Sequence, residues 1–409
     1  MTLLSDGALE DLRSRTDLAA LAESFGAVLR RKGGKIVGSC PMCGGGPRAM
    51  RFEVIGANWV CAVCPGGGDA MALVMRCTGL EFRDAVNFLG GARKLTPEEE
   101  QRATDQRRRR EAQREKDQAA YRERERKAAF DIWSGAAHLS WSNAVPRGRE
   151  AHAHAYNHVA DYLAARAIEV PWSLGFRAAE LPYFDGKTED GRPREVFRGP
   201  AMLWPELGND GKFQALHITW IDPAQPGQKM TIPDPDEPGE FLSPKKTRGS
   251  SKGAHIDLSR GLADQGTPRW LFLGEGIETV LSVAVAYARE KRLSPGMHFW
   301  SSIDLGNLGG AAKETVPHPT LKSRNGHARR LPGPDPDMSE TFIALPDGLQ
   351  FLVLLGDGDS ERVLTQMTLE RAKRRYRALP PPRFGERPMI FDVFADDGTD
   401  FNDMMRSLP

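Results

Sequence analysis

The chain has 409 residues, of which 40% are apolar and 27% charged, with 56 basic against 55 acidic side chains for a formal net charge of +1. These values exclude a collagenous or wholly disordered chain and predict a globular protein of two or three domains, while the near-zero total by itself argues neither for nor against a polyanionic partner. No apolar run approaches the roughly 18 residues of a membrane span, and Met1 to Leu12 lacks a basic-then-apolar leader, so neither membrane insertion nor secretion is expected.

Charge and cysteine placement say more than the totals. Six basic residues between Ser24 and Phe52 (Arg30, Arg31, Lys32, Lys35, Arg48, Arg51) stand without an acid. Five cysteines are too few for a disulfide scaffold in a chain this long. Four of them fall as Cys40-Pro-Met-Cys43 and Cys61-Ala-Val-Cys64, with 17 residues between the pairs. That spacing predicts one tetrahedral ion held by two thiolate knuckles, with Met50 to Val60 as the strand pair joining them. Four thiolates leave no open position, so this zinc is read as structural. Cys77, on an apolar helical stretch, is expected to be a small buried core residue. After Cys64 come Gly66-Gly67-Gly68-Asp69-Ala70-Met71 and then Gly79-Leu80-Glu81-Phe82-Arg83-Asp84-Ala85-Val86. The segment Lys35 to Leu89 resembles the N-terminal zinc ribbon of DnaG-type bacterial and phage primases, with Cys43 where that family usually has His. The resemblance implies single-stranded DNA template as the ribbon's ligand, contacted by Lys35, Arg48 and Arg51.

From Leu95 to Lys127 the sequence is almost wholly polar, with mixed charges at helical spacing, and reads as a solvent-exposed helix or charged tether. Ala128 to Ile168 reads as helical and includes His152, His154 and His158, taken as a polar helix face rather than a metal site. Phe176 to Asp222 changes to short strands and turns, an α+β unit of its own. The acid-free stretch Phe241 to Ile256 carries Lys245, Lys246, Arg248 and Lys252. Its Ser243-Pro244 turn and Lys252-Gly253 resemble the basic motif before the catalytic fold of the same primases, which implies contact with template backbone or incoming triphosphate.

Trp270 to Gly274 and Phe351 to Gly356 read as buried strands, ending in Glu275-Gly276 and Asp357-Gly358-Asp359. Parallel strands with carboxylates at their C-terminal ends place Glu275, Asp357 and Asp359 at one crevice of an open α/β sheet. Neighbouring carboxylates repel unless cations neutralise them, and all-oxygen donors select Mg²⁺ or Mn²⁺. Strand-Glu-Gly followed by strand-Asp-x-Asp resembles the Toprim fold. The replicative primases carry an Asp four residues after the Glu, where this chain has Thr279 preceded by Glu278, so Glu278 is a candidate substitute ligand. Asp400 and Asp403, in a tail resembling the end of these proteins, are candidate outer ligands. The Pro- and Gly-rich insert Val316 to Asp347 reads as a surface loop, and Gly306 to Gly310 as a turn rather than a phosphate loop.

The expected architecture is a multidomain α/β chain. It comprises a zinc ribbon over 1–93, a charged helical linker over 94–130, a basic α+β subdomain over 131–265, and a Toprim domain with an open, mostly parallel α/β sheet over 266–409. The resemblance implies a primase of phage, plasmid or mobile-element replication, making RNA primers on single-stranded DNA from ribonucleoside triphosphates with two Mg²⁺ or Mn²⁺ ions. It also implies a cytoplasmic location at the replication fork, with a separate helicase because no G-x-x-x-x-G-K-[ST] motif is present. A Toprim nuclease or nicking enzyme, and a non-catalytic zinc-ribbon DNA-binding protein, are the alternatives.

Overall fold

A computed structural model describes residues 6–32, 35–44, 50–61, 67–91, 96–138, 150–262, 266–322, 328–380 and 386–407. The chain divides into two compact units, Met1–Ala119 and Ala120–Pro409.

In the first unit, α1 (Asp6–Arg15) and α2 (Leu18–Ser24) precede β1 (Leu29–Lys32), β2 (Lys35–Gly38), β3 (Phe52–Ile55), β4 (Asn58–Cys61) and β5 (Gly67–Gly68). The strands form one antiparallel sheet in chain order. Helices α3 (Ala70–Thr78) and α4 (Phe82–Phe88) follow. Asp69 caps α3 by accepting from the Ala72 amide at 2.9 Å, and the same carboxylate receives Arg13 Nε of α1 at 2.7 Å. Phe52 and Trp59 stack at 5.5 Å in a small core with Leu18, Ala22 and Leu73. Cys77 is half-buried at the edge of that core, not interior as expected, because it sits on the last turn of α3 beside exposed Arg76 and Thr78. The charged stretch is the 39-residue helix α5 (Pro97–Gly135), within which the boundary between the units falls.

The last turns of α5 turn apolar, and Ala129 and Trp133 pack into the core of the second unit's first sheet. That unit continues with α6 (Glu150–Ala165), β6 (Arg177–Lys187), β7 (Pro193–Leu207), β8 (Phe213–Trp220), β9 (Ile232–Pro233), β10 (Phe241–Leu242), β11 (Lys245–Gly249) and β12 (Ile256–Asp257). Strands pair antiparallel in the order β11-β8-β7-β6. On α6, His152 Nδ1 accepts the Glu180 amide at 3.1 Å, a structural contact in keeping with the polar-face reading.

Next come β13 (Trp270–Gly274), α7 (Ile277–Arg289), β14 (Met297–Ser301), α8 (Leu305–Gly309), β15 (Thr315–Lys322), β16 (Ala328–Pro332), β17 (Phe351–Gly356), α9 (Arg362–Ala378), β18 (Met389–Phe394) and α10 (Phe401–Ser407). The second sheet has the order β12-β14-β13-β17-β18, parallel except for β12 at one edge. Its central strands β13 and β17 are continuous apolar runs because both their faces are covered, whereas the edge strand β18 leaves Met389, Phe391 and Val393 exposed. Leu271, Leu273, Leu352 and Leu354 point into the core shared with α9, whereas Phe272, Val353 and Leu355 point into the core shared with α7 and α10. Each fully buried leucine contributes about 1.5–3 kcal/mol. The α7 core also takes in Tyr162 of α6 and Met202 and Trp204 of β7, so the segments expected as separate at 131–265 and 266–409 share one hydrophobic core.

The insert after α8 is anchored. Among the described residues, buried Arg371 and Arg375 of α9 find no carboxylate hydrogen-bond partner and donate to backbone carbonyls. Arg371 Nε reaches Gly310 at 3.0 Å and its Nη1 reaches Gly333 at 2.8 Å, while Arg375 Nη2 reaches Ala311 at 2.6 Å. Gly309 lets the chain approach that guanidinium closely, since a Cβ would stand 2.5 Å from Arg371 Nη2 and 2.9 Å from Thr368 Cγ2. The segment read as a plain surface loop therefore begins as the hairpin β15–β16, tied down at its base.

Candidate active site and zinc site

The antiparallel pairing of β3 with β4 sets Phe52 opposite Cys61, and the β-bridge between Cys40 and Gly44 shapes the first knuckle. The three sulfur atoms of Cys40, Cys43 and Cys61 lie within 4.8 Å of one another, with Cys43 and Cys61 3.8 Å apart. A tetrahedral zinc with Zn–S bonds of about 2.3 Å sets its sulfur atoms about 3.8 Å apart, so the donors fit that ion. Burial pushes the Cys40 thiol up to about 11, as expected of a thiol whose anion needs a cation beside it. Cys64 and Arg48 lie outside the described residues. Arg51 Nη1 stands 4.0 Å from Cys43 Sγ, and Lys35 pairs with Glu53 at 2.9 Å on the neighbouring strand.

In the second unit, the parallel register sets Gly274 beside Leu355, so Glu275 and Asp357 leave the C-terminal ends of adjacent central strands. Gly358 admits the chain's close return, since a Cβ there would stand 2.1 Å from the Asp396 carbonyl oxygen. Burial pushes Glu275 up to about 7, with the charge of Asp357 adding to the rise and Lys245 opposing it. Burial likewise pushes Asp357 up to about 6, against the Thr279 hydroxyl, which stands 3.0 Å from both carboxylate oxygens. Asp359 and Asp400 also raise Asp357, and Asp304, the cap of α8, raises Glu275. Among the described residues only the cysteine set brings three ligand atoms within 4.8 Å. The carboxylates of Glu275, Asp357 and Asp359 stand wider than that.

Asp400 accepts the Asp403 amide at 2.7 Å and caps α10, while Asp403 is exposed on its first turn. Glu278 has another occupation. Its Oε1 accepts the Tyr162 hydroxyl at 2.6 Å and Lys229 Nζ at 2.9 Å. Burial alone would raise this carboxyl, but Lys229, Lys245 and Tyr162 outweigh it and hold it well below the usual range. The candidate ligand role for Glu278 is thus corrected to that of a buried internal ion pair.

The period of two along β11 divides the basic stretch. Lys245 pairs with Thr219 and Thr247 with His217, one face of the sheet, and the charge of Lys245 lowers Glu275, Asp357 and Glu278 alike. Lys246 faces the other way, 3.8 Å over the Tyr183 ring, and Arg248 pairs with Glu125 at 3.3 Å. Lys252 is held by Glu340. Beside Lys245 lies a buried polar pair that sequence reasoning passed over. Thr247 Oγ1 donates to Glu206 at 2.7 Å, and His217 stands 3.8 Å from the same carboxylate oxygen. Burial holds His217 at about 4 and lifts Glu206 to about 7, so their contact is neutral between those two values. Thr279, Tyr162, Lys229 and Asp304 were passed over too; only the position of Thr279, four residues after Glu275, carried any signal.

The raised carboxyls have a stability consequence. A carboxyl titrating higher in the fold than in the unfolded chain adds stability at low pH that is lost as pH rises through its folded value. Glu275→Gln is therefore expected to stabilise the metal-free protein by about 2–3 kcal/mol at pH 8, and by almost nothing at pH 4. Denaturant unfolding of both proteins across that range, with chelator present, checks it.

Comparison with known proteins bears on the zinc site. Residues 4–105 match the family model described as CHC2 zinc finger, and residues 123–258 match one described as a domain of unknown function (DUF7146). The N-terminal segment is a zinc ribbon similar to those of the CHC2 zinc finger family. A search of curated proteins found no match. Among solved structures, the zinc binding and RNA polymerase domains of the Aquifex aeolicus primase align at 12% identity over 99% of this chain and 83% of that one, with a TM-score of 0.33. The RNA polymerase domain of Mycobacterium tuberculosis primase DnaG aligns at 14% identity over 70% and 79%, with a TM-score of 0.32. The primase fragment of the bacteriophage T7 primase-helicase protein aligns at 14% identity over 59% and 67%, with a TM-score of 0.28.

Proposed function

We propose that the chain is a DNA primase, joining ribonucleoside triphosphates into short RNA primers on a single-stranded DNA template. The observation that carries this reading is one chain holding both a CHC2-type zinc ribbon and, at the C-terminal ends of two central parallel strands, the acids Glu275, Asp357 and Asp359. The Glu275 and Asp357 carboxyls, both raised by burial, are oxygen donors that suit hard divalent cations. Glu275, Asp357 and Asp359 would hold Mg²⁺ or Mn²⁺, which when bound supplies Lewis-acid stabilisation of the attacking 3′-hydroxyl and the departing pyrophosphate.

The chain's own groups divide the remaining work. Thr279 orients the Asp357 carboxylate through its hydroxyl. Glu275, at the end of the strand beside Asp357, either ligates the ion or accepts the hydroxyl proton. Lys245, on the face of β11 toward the acids, offers positive charge to the triphosphate. Lys35, Arg48 and Arg51 of the ribbon offer salt-sensitive contacts to template phosphates. The acids so disposed also fit the Toprim resemblance, and a phage, plasmid or mobile-element setting with a separate helicase belongs to the same proposal.

The test is incubation of the full chain with single-stranded circular DNA, labelled ribonucleoside triphosphates and Mg²⁺ or Mn²⁺. Short labelled RNA supports the proposal; shortened DNA without RNA supports a nuclease, and a mobility shift alone a DNA-binding protein. In that assay Lys245→Ala is expected to raise the KM for nucleotide roughly tenfold, the loss of one charge-assisted contact. Lys246→Ala, on the opposite face, is expected to leave it unchanged.

A further inference from the structure

The first turn of α7 is held from below by groups that the chemistry above does not use. Its cap is Gly276, which has no side chain to close the turn. The turn is instead gripped through Glu278, 6% exposed, by Tyr162 of α6 and by Lys229 from the segment between β8 and β9. A second tie lies one turn on, where Ser282 Oγ donates to the Glu278 carbonyl at 2.7 Å. Asn402 Nδ2 of α10 donates in turn to Ser282 Oγ at 3.0 Å and to the Arg166 carbonyl at 2.9 Å. The gripped turn carries two crevice groups, Glu275 just before it and Thr279 on the Asp357 carboxylate. Only Gly276 and Ile277 separate Glu275 from Glu278 in the chain, so a shift of the Glu278 carboxylate moves both crevice groups together.

A buried ion pair is weak evidence of stability, because removing two charges from water opposes their attraction, whereas removing one partner leaves a charge that must move or protonate. A pair in this place therefore does more as a clamp than as a source of stability. We propose that Tyr162, Lys229 and Glu278 form a positioning cluster that sets the divalent-cation affinity of the Glu275–Asp357 crevice. The proposal rests on the reading of that crevice as a cation site.

The probe is Mn²⁺ alone, titrated into the full-length protein and followed by the electron paramagnetic resonance of the free ion, with Asp357→Asn marking the crevice site. Loss of a group that orients metal ligands lowers metal affinity by about 10–100-fold. Tyr162→Phe and Lys229→Met are accordingly expected to raise the Asp357-dependent dissociation constant at least tenfold at a temperature where both are folded. Should Lys229→Met fail to fold, Tyr162→Phe and Glu278→Gln carry the test. Wild-type Mn²⁺ affinity in the folded variants overturns the clamp and leaves the primase reading standing. Shifted affinity in a protein that incorporates no nucleotide supports the clamp and overturns the primase reading. Absence of Asp357-dependent binding in the wild type overturns both.

Discussion

Asp357→Asn is expected to lower primer synthesis by a factor on the order of 10³, with zinc content and the thermal unfolding of both units preserved. The reasoning is local. Asp357 ends the central strand β17, receives the Thr279 hydroxyl, and borders Glu275, Asp359 and Asp400. Asparagine keeps the shape and an acceptor oxygen for Thr279, while removing the negative charge that draws a cation. Because the Asp357 carboxyl is pushed up to about 6, its neutralisation also relieves repulsion among the acids, and the metal-free variant should be no less stable than the wild type. Loss of activity with retained or increased stability separates a chemical role from a folding role. The measurement is labelled-primer yield at saturating Mg²⁺ beside a denaturant unfolding curve, and unchanged yield would overturn the assignment of the crevice.

The parts of this arrangement that were legible in the sequence are those whose signal is local. Two Cys-x-x-Cys knuckles at a set spacing specify a small site almost by themselves, and the cluster of Cys40, Cys43 and Cys61 follows. The strands β13 and β17 stood out as apolar runs stopped by carboxylates, and the parallel register between them is what brings Glu275 and Asp357 side by side. What stayed hidden depends on pairing between distant segments. Lys229 sits in a polar turn indistinguishable from any other until its contact with Glu278 closes, which is why Glu278 was offered as a metal ligand. Lys245 and Lys246 are neighbours in a basic run, and only the pairing of β11 with β8 reveals that one faces the acids and the other the Tyr183 ring. Arg371 and Arg375 lie on a basic helix whose sequence gives no sign that they donate to carbonyls of the α8 end and the insert.

Cys61→Ser carries the second large effect, through folding rather than chemistry. Cys61 is the last residue of β4, its Sγ 3.8 Å from that of Cys43, and it lies against the Phe52–Trp59 stack. The core around it holds only a handful of fully buried side chains, among them Phe52, Trp59, Leu73 and Ala22. A core of that size supplies only a few kcal/mol, whereas zinc binding contributes on the order of 10 kcal/mol to folding in small zinc modules. The variant is therefore expected to lose its zinc and to unfold over the first unit at 25 °C, while the second unit, with its three hydrophobic cores, retains its unfolding transition. Zinc release measured by a chromophoric chelator, with the near-ultraviolet circular dichroism of Trp59 as the local reporter, checks both halves. On the proposed function, template-directed synthesis on single-stranded DNA should fall at least about a hundredfold, the equivalent of about 2.7 kcal/mol of lost transition-state binding. Mn²⁺ binding at the Asp357 crevice should remain. Retained zinc and an intact Trp59 signal in Cys61→Ser would mean that the sulfur cluster does not hold the ribbon together.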